Sequence, residues 1–156
     1  MWPMNNPQHL FILTGASRGM GLAMAEQLVD AGHTLITISR RTSDALQARA
    51  QAAGCVLTQW PMDLADGAAA AARLAAWLRL HAPDAFASAT LINNAGVIAA
   101  IGPLRDADAA DLANALRVGL EAPMQLTAAF LGATRGWTGP RKVLNISSGL
   151  GRRAMA

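Results

Sequence analysis

The apolar residues of the chain fall into short continuous runs, and longer segments with helical periodicity separate these runs. The runs at 10–14, 34–39, 55–60, 90–93 and 142–147 are predicted to be strands. Strands that are apolar on both faces and alternate with helices are typical of a parallel sheet that helices cover on each side. We therefore predict an α/β fold, a doubly wound parallel sheet of five strands.

Start and stop signals for four helices lie between the predicted strands. Serine and aspartate side chains accept the free N–H groups of a first helical turn, and glycine commonly ends a helix. The predicted helices are 20–31, ended by Gly32; 43–53, capped by Ser43 and ended by Gly54; 66–81, capped by Asp66; and 106–134, capped by Asp106 or Asp108 and interrupted near Gly119 and Pro123.

Composition narrows the class of protein. The chain has 156 residues, of which 53% are hydrophobic, and this length suits one domain with a real core. The formal net charge is only +3, and the basic residues near the C-terminus resemble no nucleic-acid-binding motif. We interpret these residues as a solvated surface and predict no nucleic-acid partner.

The cysteine content and the termini indicate a cytoplasmic protein. Cys55 is the single cysteine, lies in an apolar run, and is predicted to be a buried filler. The N-terminus does not have the pattern of a secretory signal. The uncharged segment 85–104 contains Gly102 and Pro103, so we interpret it as a strand and its loop and predict no membrane partner.

The stretch T-G-A-S-R-G-M-G, Thr14 to Gly21, lies between the first predicted strand and the first predicted helix. Glycines let a backbone approach a pyrophosphate, whose charge the N–H groups of a helix N-terminus stabilise. Such turns also simply join strands to helices. Its place at the first strand–helix junction favours a dinucleotide site formed by Gly15, Ser17, Arg18, Gly19, Met20 and Gly21.

The end of the second strand indicates which dinucleotide binds. An acidic residue there would bind the ribose 2′-hydroxyl of NAD, but the sequence has Ser39-Arg40-Arg41. A guanidinium group pairs with a 2′-phosphate through charge-assisted hydrogen bonds, whereas a carboxylate would repel it. We predict that Arg40 and Arg41, with Arg18, favour NADP over NAD. The alternative is that the two arginines only solubilise the end of the strand.

With these residues in view, the sequence resembles the short-chain dehydrogenase/reductase family. The resemblance rests on Thr14 to Gly21, on N-N-A-G (93–96), on Asp63-Leu64 and on N-I-S-S-G (145–149). It implies a Rossmann-type sheet, cofactor contacts by Asp63, Leu64, Asn94, Ala95 and Gly96, and no metal. Ser148 would orient the carbonyl of a small-molecule substrate, with Ser147 as the alternative.

The family reduces a carbonyl with a hydride from the nicotinamide, and a tyrosine gives its proton to the oxygen. Within the family, N-N-A-G-V-I-A-A-I-G-P-L and N-I-S-S-G-L-G-R-R-A look most like the benzil and sepiapterin reductase branch. The resemblance thus implies an NADPH-dependent carbonyl reductase, assembled as a homo-oligomer (dimer or tetramer) when full-length. Reduction of carbonyls in general, or of ketones on an acyl carrier, stays open as an alternative.

The sequence also departs from the family pattern. It has no tyrosine, its single lysine, Lys142, opens the fifth strand, and Gly119 stands where the family has a relay asparagine. Asn114 lies more than one helical turn earlier and is not expected to replace it. The alternative to a reductase is therefore a non-catalytic NADP(H)-binding module.

The resemblance implies that residues 1–156 are one dinucleotide-binding domain, truncated before the Tyr-x-x-x-Lys helix, with later strands missing. The 156-residue chain alone is predicted to be inactive. We expect an exposed edge at the fifth strand and bare apolar surface on the long helix, at Leu116, Met124 and Phe130.

Overall fold

Five parallel strands form the centre of the computed structural model, which describes residues 8–149. They are β1 (His9–Thr14), β2 (His33–Ser39), β3 (Val56–Pro61), β4 (Ser88–Asn93) and β5 (Arg141–Asn145). The sheet order is β3-β2-β1-β4-β5, and in its register His9 pairs with both His33 and Ser88. The predicted parallel α/β sheet is confirmed.

Helices connect successive strands and cover both faces of the sheet. They are α1 (Gly19–Leu28), α2 (Asp44–Ala53), α3 (Gly67–Arg79), α4 (Ala109–Leu116) and α5 (Ala122–Ala133). The predicted caps of α2 are confirmed, because the Ser43 hydroxyl accepts from the Leu46 N–H and Gly54 ends the helix at φ 70°. Asp66 likewise caps α3 by accepting from the Ala69 N–H.

The first helix ends at Leu28, three residues before the predicted end. The Asp30 carboxylate accepts from the Gly32 N–H at 3.0 Å, and the His33 N–H donates to the Asp30 carbonyl. Such local side-chain bonds offer the backbone an alternative to a further helical turn. The helix prediction missed this turn because it relied on Gly32 as the first breaker.

The long helix predicted from Asp106 or Asp108 is divided. Asp108 is the cap, since its carboxylate accepts from the Asp111 N–H. A π-helical segment, Arg117–Glu121, joins α4 to α5 and accounts for the predicted interruption near Gly119. Pro123 lies in the first turn of α5, directly after the π segment, and its ring nitrogen can donate no hydrogen bond back into that segment.

Two apolar layers hold the sheet between its helices. On one face Leu10, Ile12 and Ile36 pack with α3 and α5, and on the other Leu13 and Leu35 pack with α1 and α2. Neighbouring residues of β1 and β2 thus enter opposite layers, as the strand period of two requires. Both faces of the sheet are therefore covered by apolar side chains.

The expected bare surface on the long helix is partly confirmed. Leu116 and Met124 are 61% and 64% exposed, but the expectation for Phe130 is wrong, because that ring is fully buried. Phe130 lies in the layer between the sheet, α3 and α5, so it needs no further partner. Within residues 8–149, no helix is long and apolar enough to cross a membrane.

The order of the strands creates a switch point between β1 and β4. The chain moves outward from β1 to β2 and β3, then crosses back to place β4 on the other side of β1. Connections on either side of this point diverge to opposite faces, which leaves a crevice at the carboxyl ends of the strands. This crevice is where an open α/β sheet binds its ligand.

Cys55 is buried at the start of β3, as predicted, and burial raises the pKa of its thiol. Because the thiolate is the nucleophile, we expect slow reaction with a thiol reagent in the native protein and fast reaction in denaturant. The raised native pKa also favours folding. This contribution is fully present below the pKa of unfolded cysteine and is lost as the pH rises from there through the native pKa. Denaturation curves should show this alkaline loss in the wild type and less of it in Cys55→Ala. Fast native labelling would contradict the prediction.

Candidate functional site

A cavity of about 340 Å³ opens at the carboxyl ends of β1 and β4. Its volume lies at the lower end of the range of small-molecule sites, about 300–1,000 Å³. Twelve of the thirteen predicted cofactor residues line it: Gly15, Ser17, Arg18, Gly19, Met20, Gly21, Arg40, Asp63, Leu64, Asn94, Ala95 and Gly96. The exception is Arg41, which is exposed beyond the rim.

The glycine turn lies against backbone, which explains two of its glycines. A Cβ on Gly15 would lie 2.8 Å from the Cα of Ala95, and a Cβ on Gly21 would collide with the Gly15 carbonyl. Gly15 and Gly19 also have φ of 73° and 56°, the left-handed region that side chains rarely adopt. The turn can form only with glycine where backbone meets backbone.

Thr14 and Asn94 connect the glycine turn to the loop after β4. The Thr14 hydroxyl accepts from the N–H groups of Asn94 and Ala95 at 3.0 and 2.9 Å. In return, the Asn94 amide donates to the carbonyls of Thr14 and Gly15 at 3.0 and 3.2 Å. These four bonds hold two walls of the cavity in one fixed arrangement.

Asn93, which precedes Asn94, points the other way because consecutive strand residues alternate. It is 5% exposed, and its amide nitrogen donates to Thr127 on α5 and to Asn145 on β5. The two asparagines of N-N-A-G therefore have different structural roles. Asn93 joins β4 to its neighbours, and Asn94 shapes the cavity.

The third wall is formed by the end of β2 and the segment after β3. Arg40 lines the cavity at the end of β2, and Asp63 and Leu64 line it in the segment after β3. The Asp63 carboxylate accepts from the Ala65 N–H at 2.9 Å, while Leu64 is buried in the core. With Arg18, the charged lining is two guanidinium groups and one carboxylate, a positive balance that suits an anion.

Sequence reasoning missed six residues that line the cavity: Ile38, Ser39, Met62, Val97, Asn114 and Val118. Four lie within two positions of a predicted residue in the sequence, so a wider window around each motif would have found them. Asn114 and Val118 come from α4 and the π segment, four residues apart on one helical face. No motif marks this face, and only the tertiary fold brings it to the cavity.

Ser148 does not line the cavity. β5 ends at Asn145, two residues before its predicted end, so both Ser147 and Ser148 follow the strand. Both lie on the carboxyl side of the sheet, because the Ile146 N–H bonds to the Asn93 carbonyl at the end of β4. The catalytic assignment of Ser148 stays a prediction.

Gly119 lies in the π segment, and a Cβ placed there would meet open space. Sterics therefore do not require glycine at this position. Asn114 lies on the wall of the cavity. The expectation that it does not replace the relay asparagine stays a prediction.

Comparison with known proteins decides the family. Residues 9–156 match the profile of the family described as short chain dehydrogenase. The chain belongs to the short-chain dehydrogenase family. It is an oxidoreductase family that binds a nicotinamide cofactor, which agrees with the cavity described above.

This short-chain dehydrogenase is similar in sequence or structure to three proteins in particular. A benzil reductase ((S)-benzoin forming) of Bacillus cereus is 34% identical over 141 residues, which cover 90% of this chain and 57% of that protein. A short-chain dehydrogenase/reductase structure from Burkholderia vietnamiensis is 38% identical, with TM-score 0.83 over 96% of this chain and 70% of the other. A metagenomic short-chain oxidoreductase in complex with NADP is 30% identical, with TM-score 0.81 over 97% and 67%. The chain thus spans little more than half of its curated Bacillus relative.

The glycine turn gives a prediction with a matched control. Gly21→Ala forces a Cβ into the Gly15 carbonyl, whereas Gly19→Ala meets open space and only the cost of left-handed backbone, about 1–2 kcal/mol. We expect Gly21→Ala to lower the free energy of unfolding more than Gly19→Ala does. Urea denaturation of both variants measures this. An equal or larger loss in Gly19→Ala would contradict the packing described here.

Proposed function

We propose that this protein is an NADPH-dependent carbonyl reductase that acts on ketones or dicarbonyls. The observation that carries the proposal is the cavity at the switch point of the sheet, with a glycine turn on one wall and Arg40 on another. The whole of residues 1–156 is proposed to be one dinucleotide-binding domain.

The residues present fit a dinucleotide. Gly15, Gly19 and Gly21 line the cavity at the N-terminus of α1, and the space beside Gly19 is open. The Arg18 side chain does not cap that helix, and no acidic residue lies in its first turn. Free N–H groups at a helix start attract phosphate, so this end should hold the pyrophosphate.

The preference for NADP is argued from charge. Arg40 follows β2 and lines the cavity, where an NAD enzyme would have a carboxylate. A guanidinium group there pairs with a 2′-phosphate, and Arg18 in the glycine turn adds positive potential. The NADP bound to the 30% identical oxidoreductase supports the same preference. Arg41 lies outside the cavity, so its proposed part is limited to long-range attraction.

The proposed reaction adds a hydride to the carbonyl carbon and a proton to its oxygen, and the proton would come from the family's tyrosine, which is not among these 156 residues. The bound cofactor supplies the hydride from its nicotinamide ring. Ser148 is the proposed donor of a hydrogen bond that orients the carbonyl oxygen and stabilises the charge that develops on it. The benzil reductase of Bacillus cereus supports vicinal dicarbonyls as the substrate class.

A second candidate is a non-catalytic NADP(H)-binding module. Gly119 favours it, because this position carries no side chain that could hold a water. The cavity serves both candidates equally, so only turnover separates them.

The exposed face of α4, the π segment and α5 supports a homo-oligomer. Leu116, Leu120 and Met124 are each more than half exposed there, and they line one groove together with Arg117 and Glu121. An apolar groove with both charge signs suits packing against a second copy of the same face. We also propose a cytoplasmic location, because the single cysteine is a free, buried thiol.

Arg40→Asp tests the cofactor preference. The variant replaces the attraction for a 2′-phosphate by repulsion, and a bond to a charged group contributes about 1.5–3 kcal/mol. We expect NADP⁺ affinity to fall at least about tenfold, with NAD⁺ affinity unchanged or improved. Calorimetric titration with both cofactors measures the ratio. Arg49→Asp on α2, outside the cavity, has the same change of charge and should keep the wild-type ratio. Unchanged preference in Arg40→Asp would reject this role.

Turnover separates the two candidate functions. The polypeptide of these 156 residues has no tyrosine to donate the proton, so we expect it to bind NADPH without oxidising it when a vicinal diketone is added. The absorbance of NADPH reports oxidation, and calorimetry reports binding. Diketone-dependent oxidation would contradict this expectation and would place a proton donor within the chain.

A further inference from the structure

Two histidines lie side by side at the amino ends of β1 and β2, at the opposite end of these strands from the cavity. His9 and His33 are register partners on adjacent parallel strands, so their side chains leave the same face of the sheet. The centroids of the two rings are 5.9 Å apart, and the ring planes meet at 83°. Neither ring takes part in the proposed reaction.

Each ring is held in place through its Nδ1 atom. The Nδ1 of His33 lies 2.7 Å from the Leu28 carbonyl, and the Nδ1 of His9 lies 2.8 Å from the Ser88 hydroxyl. Because a carbonyl can only accept, Nδ1 of His33 carries a proton, and Nε2 of the neutral ring has a free lone pair. The Ser88 hydroxyl can accept from His9 in the same way. A histidine that donates from one ring nitrogen and leaves the other free is the usual form of a metal ligand.

The Nε2 atoms of both rings are open to solutes. Both residues are half-buried. Within residues 8–149, neither Nε2 has a hydrogen-bond partner, and neither is a fully buried atom. A dissolved ion can therefore reach both lone pairs.

The separation of the rings suits one shared ion. A zinc ion lies about 2 Å from a ligating imidazole nitrogen, and so about 3 Å from the centre of that ring. Two rings that share an ion then have centres about 5 Å apart at a tetrahedral angle and about 6 Å apart in line. The 5.9 Å between the centroids of His9 and His33 falls within this range.

The chemistry of the ligands selects the class of metal. In the part of the chain that the structure describes, no group of three or more histidine, cysteine, aspartate or glutamate side chains could hold a metal ion. The histidine pair therefore offers two imidazoles, and water would complete the coordination shell. Imidazole suits Zn²⁺, Ni²⁺ and Cu²⁺, whereas Mg²⁺ and Ca²⁺ prefer oxygen ligands.

We propose that His9 and His33 bind one transition-metal ion of this class through their Nε2 atoms. The ion bridges β1 and β2 at their amino ends. It stabilises the folded protein, because the unfolded chain does not hold the two rings together. The site is separate from the cavity, and the family resemblance, which implies no metal, concerns the reaction alone.

The experiment is calorimetric titration of Zn²⁺ into four cofactor-free proteins: the wild type, His9→Asn, His33→Asn and His81→Asn. His81 is the matched control, because its Nδ1 also bonds to a carbonyl, that of Trp77, at 3.0 Å. Its ring packs against Trp77 and Phe86 and not against a second histidine. Loss of an outer-shell partner alone costs about 10–100-fold in metal affinity, so loss of either ligand should cost at least about tenfold. We expect this loss in His9→Asn and His33→Asn, and wild-type affinity in His81→Asn.

A wild type that binds no Zn²⁺ would overturn the proposal. Unchanged affinity in His9→Asn or His33→Asn, or an equal loss in His81→Asn, would also overturn it, because the ion would then lie elsewhere or lack the paired ligands. Mg²⁺ in place of Zn²⁺ should give no binding at this site, and Mg²⁺ binding that depends on His9 would contradict the assigned class of metal.

Proton NMR of the wild type keeps the proposal testable if a variant fails to fold. The chain has three histidines, so three sets of ring C–H resonances are expected. Two sets should shift together and saturate at one equivalent of Zn²⁺, while the third stays in place. A shift of one set alone, or of all three, would overturn the shared site. Neither measurement involves NADP⁺, so failure of this inference and failure of the proposed function are distinguishable.

Discussion

The close approach of two backbone segments, the glycine turn after β1 and the loop after β4, is the constraint on which the cavity depends. A Cβ on Gly15 would lie 2.8 Å from the Cα of Ala95, so no side chain fits between the two segments. Thr14 and Asn94 fasten this contact through four hydrogen bonds between buried or half-buried groups. Because β1 and β4 are neighbours only through the crossover of the chain, the whole sheet order is needed to bring these segments together.

The proposed preference for an anionic ligand follows from the groups that this contact leaves available to a ligand. The turn presents backbone N–H groups at the start of α1, and no carboxylate lies in the first turn of that helix to compete for them. Arg18 and Arg40 add positive charge on two walls, and Ser39 ties one of those walls to the turn. The bond between the Ala16 N–H and the Ser39 hydroxyl therefore connects the glycine turn to the end of β2.

Much of this could be predicted from the sequence, since local chemistry determines it. Helix α2 begins after Ser43 and ends at Gly54, because the serine hydroxyl accepts a free N–H of the first turn and the left-handed glycine donates to carbonyls of the last turn. The glycine turn could be predicted from the spacing of its glycines. Three features could not be predicted because they depend on tertiary contacts. Phe130 has the helical spacing of a surface stripe but is buried by the layer under α3. Asn114 reaches the cavity only through the packing of α4, and the hydrogen bond between Ala16 and Ser39 joins residues 23 positions apart.

The measurement that tests the central claim most directly is phosphorus NMR of NADP⁺ titrated with the protein. If the glycine turn holds the pyrophosphate and the end of β2 holds the 2′-phosphate, both sets of resonances should shift and saturate together. The 2′-phosphate should also stay fully charged to a lower pH than in free NADP⁺, because arginine favours its dianion. Resonances that keep their free positions and their free titration would contradict the account.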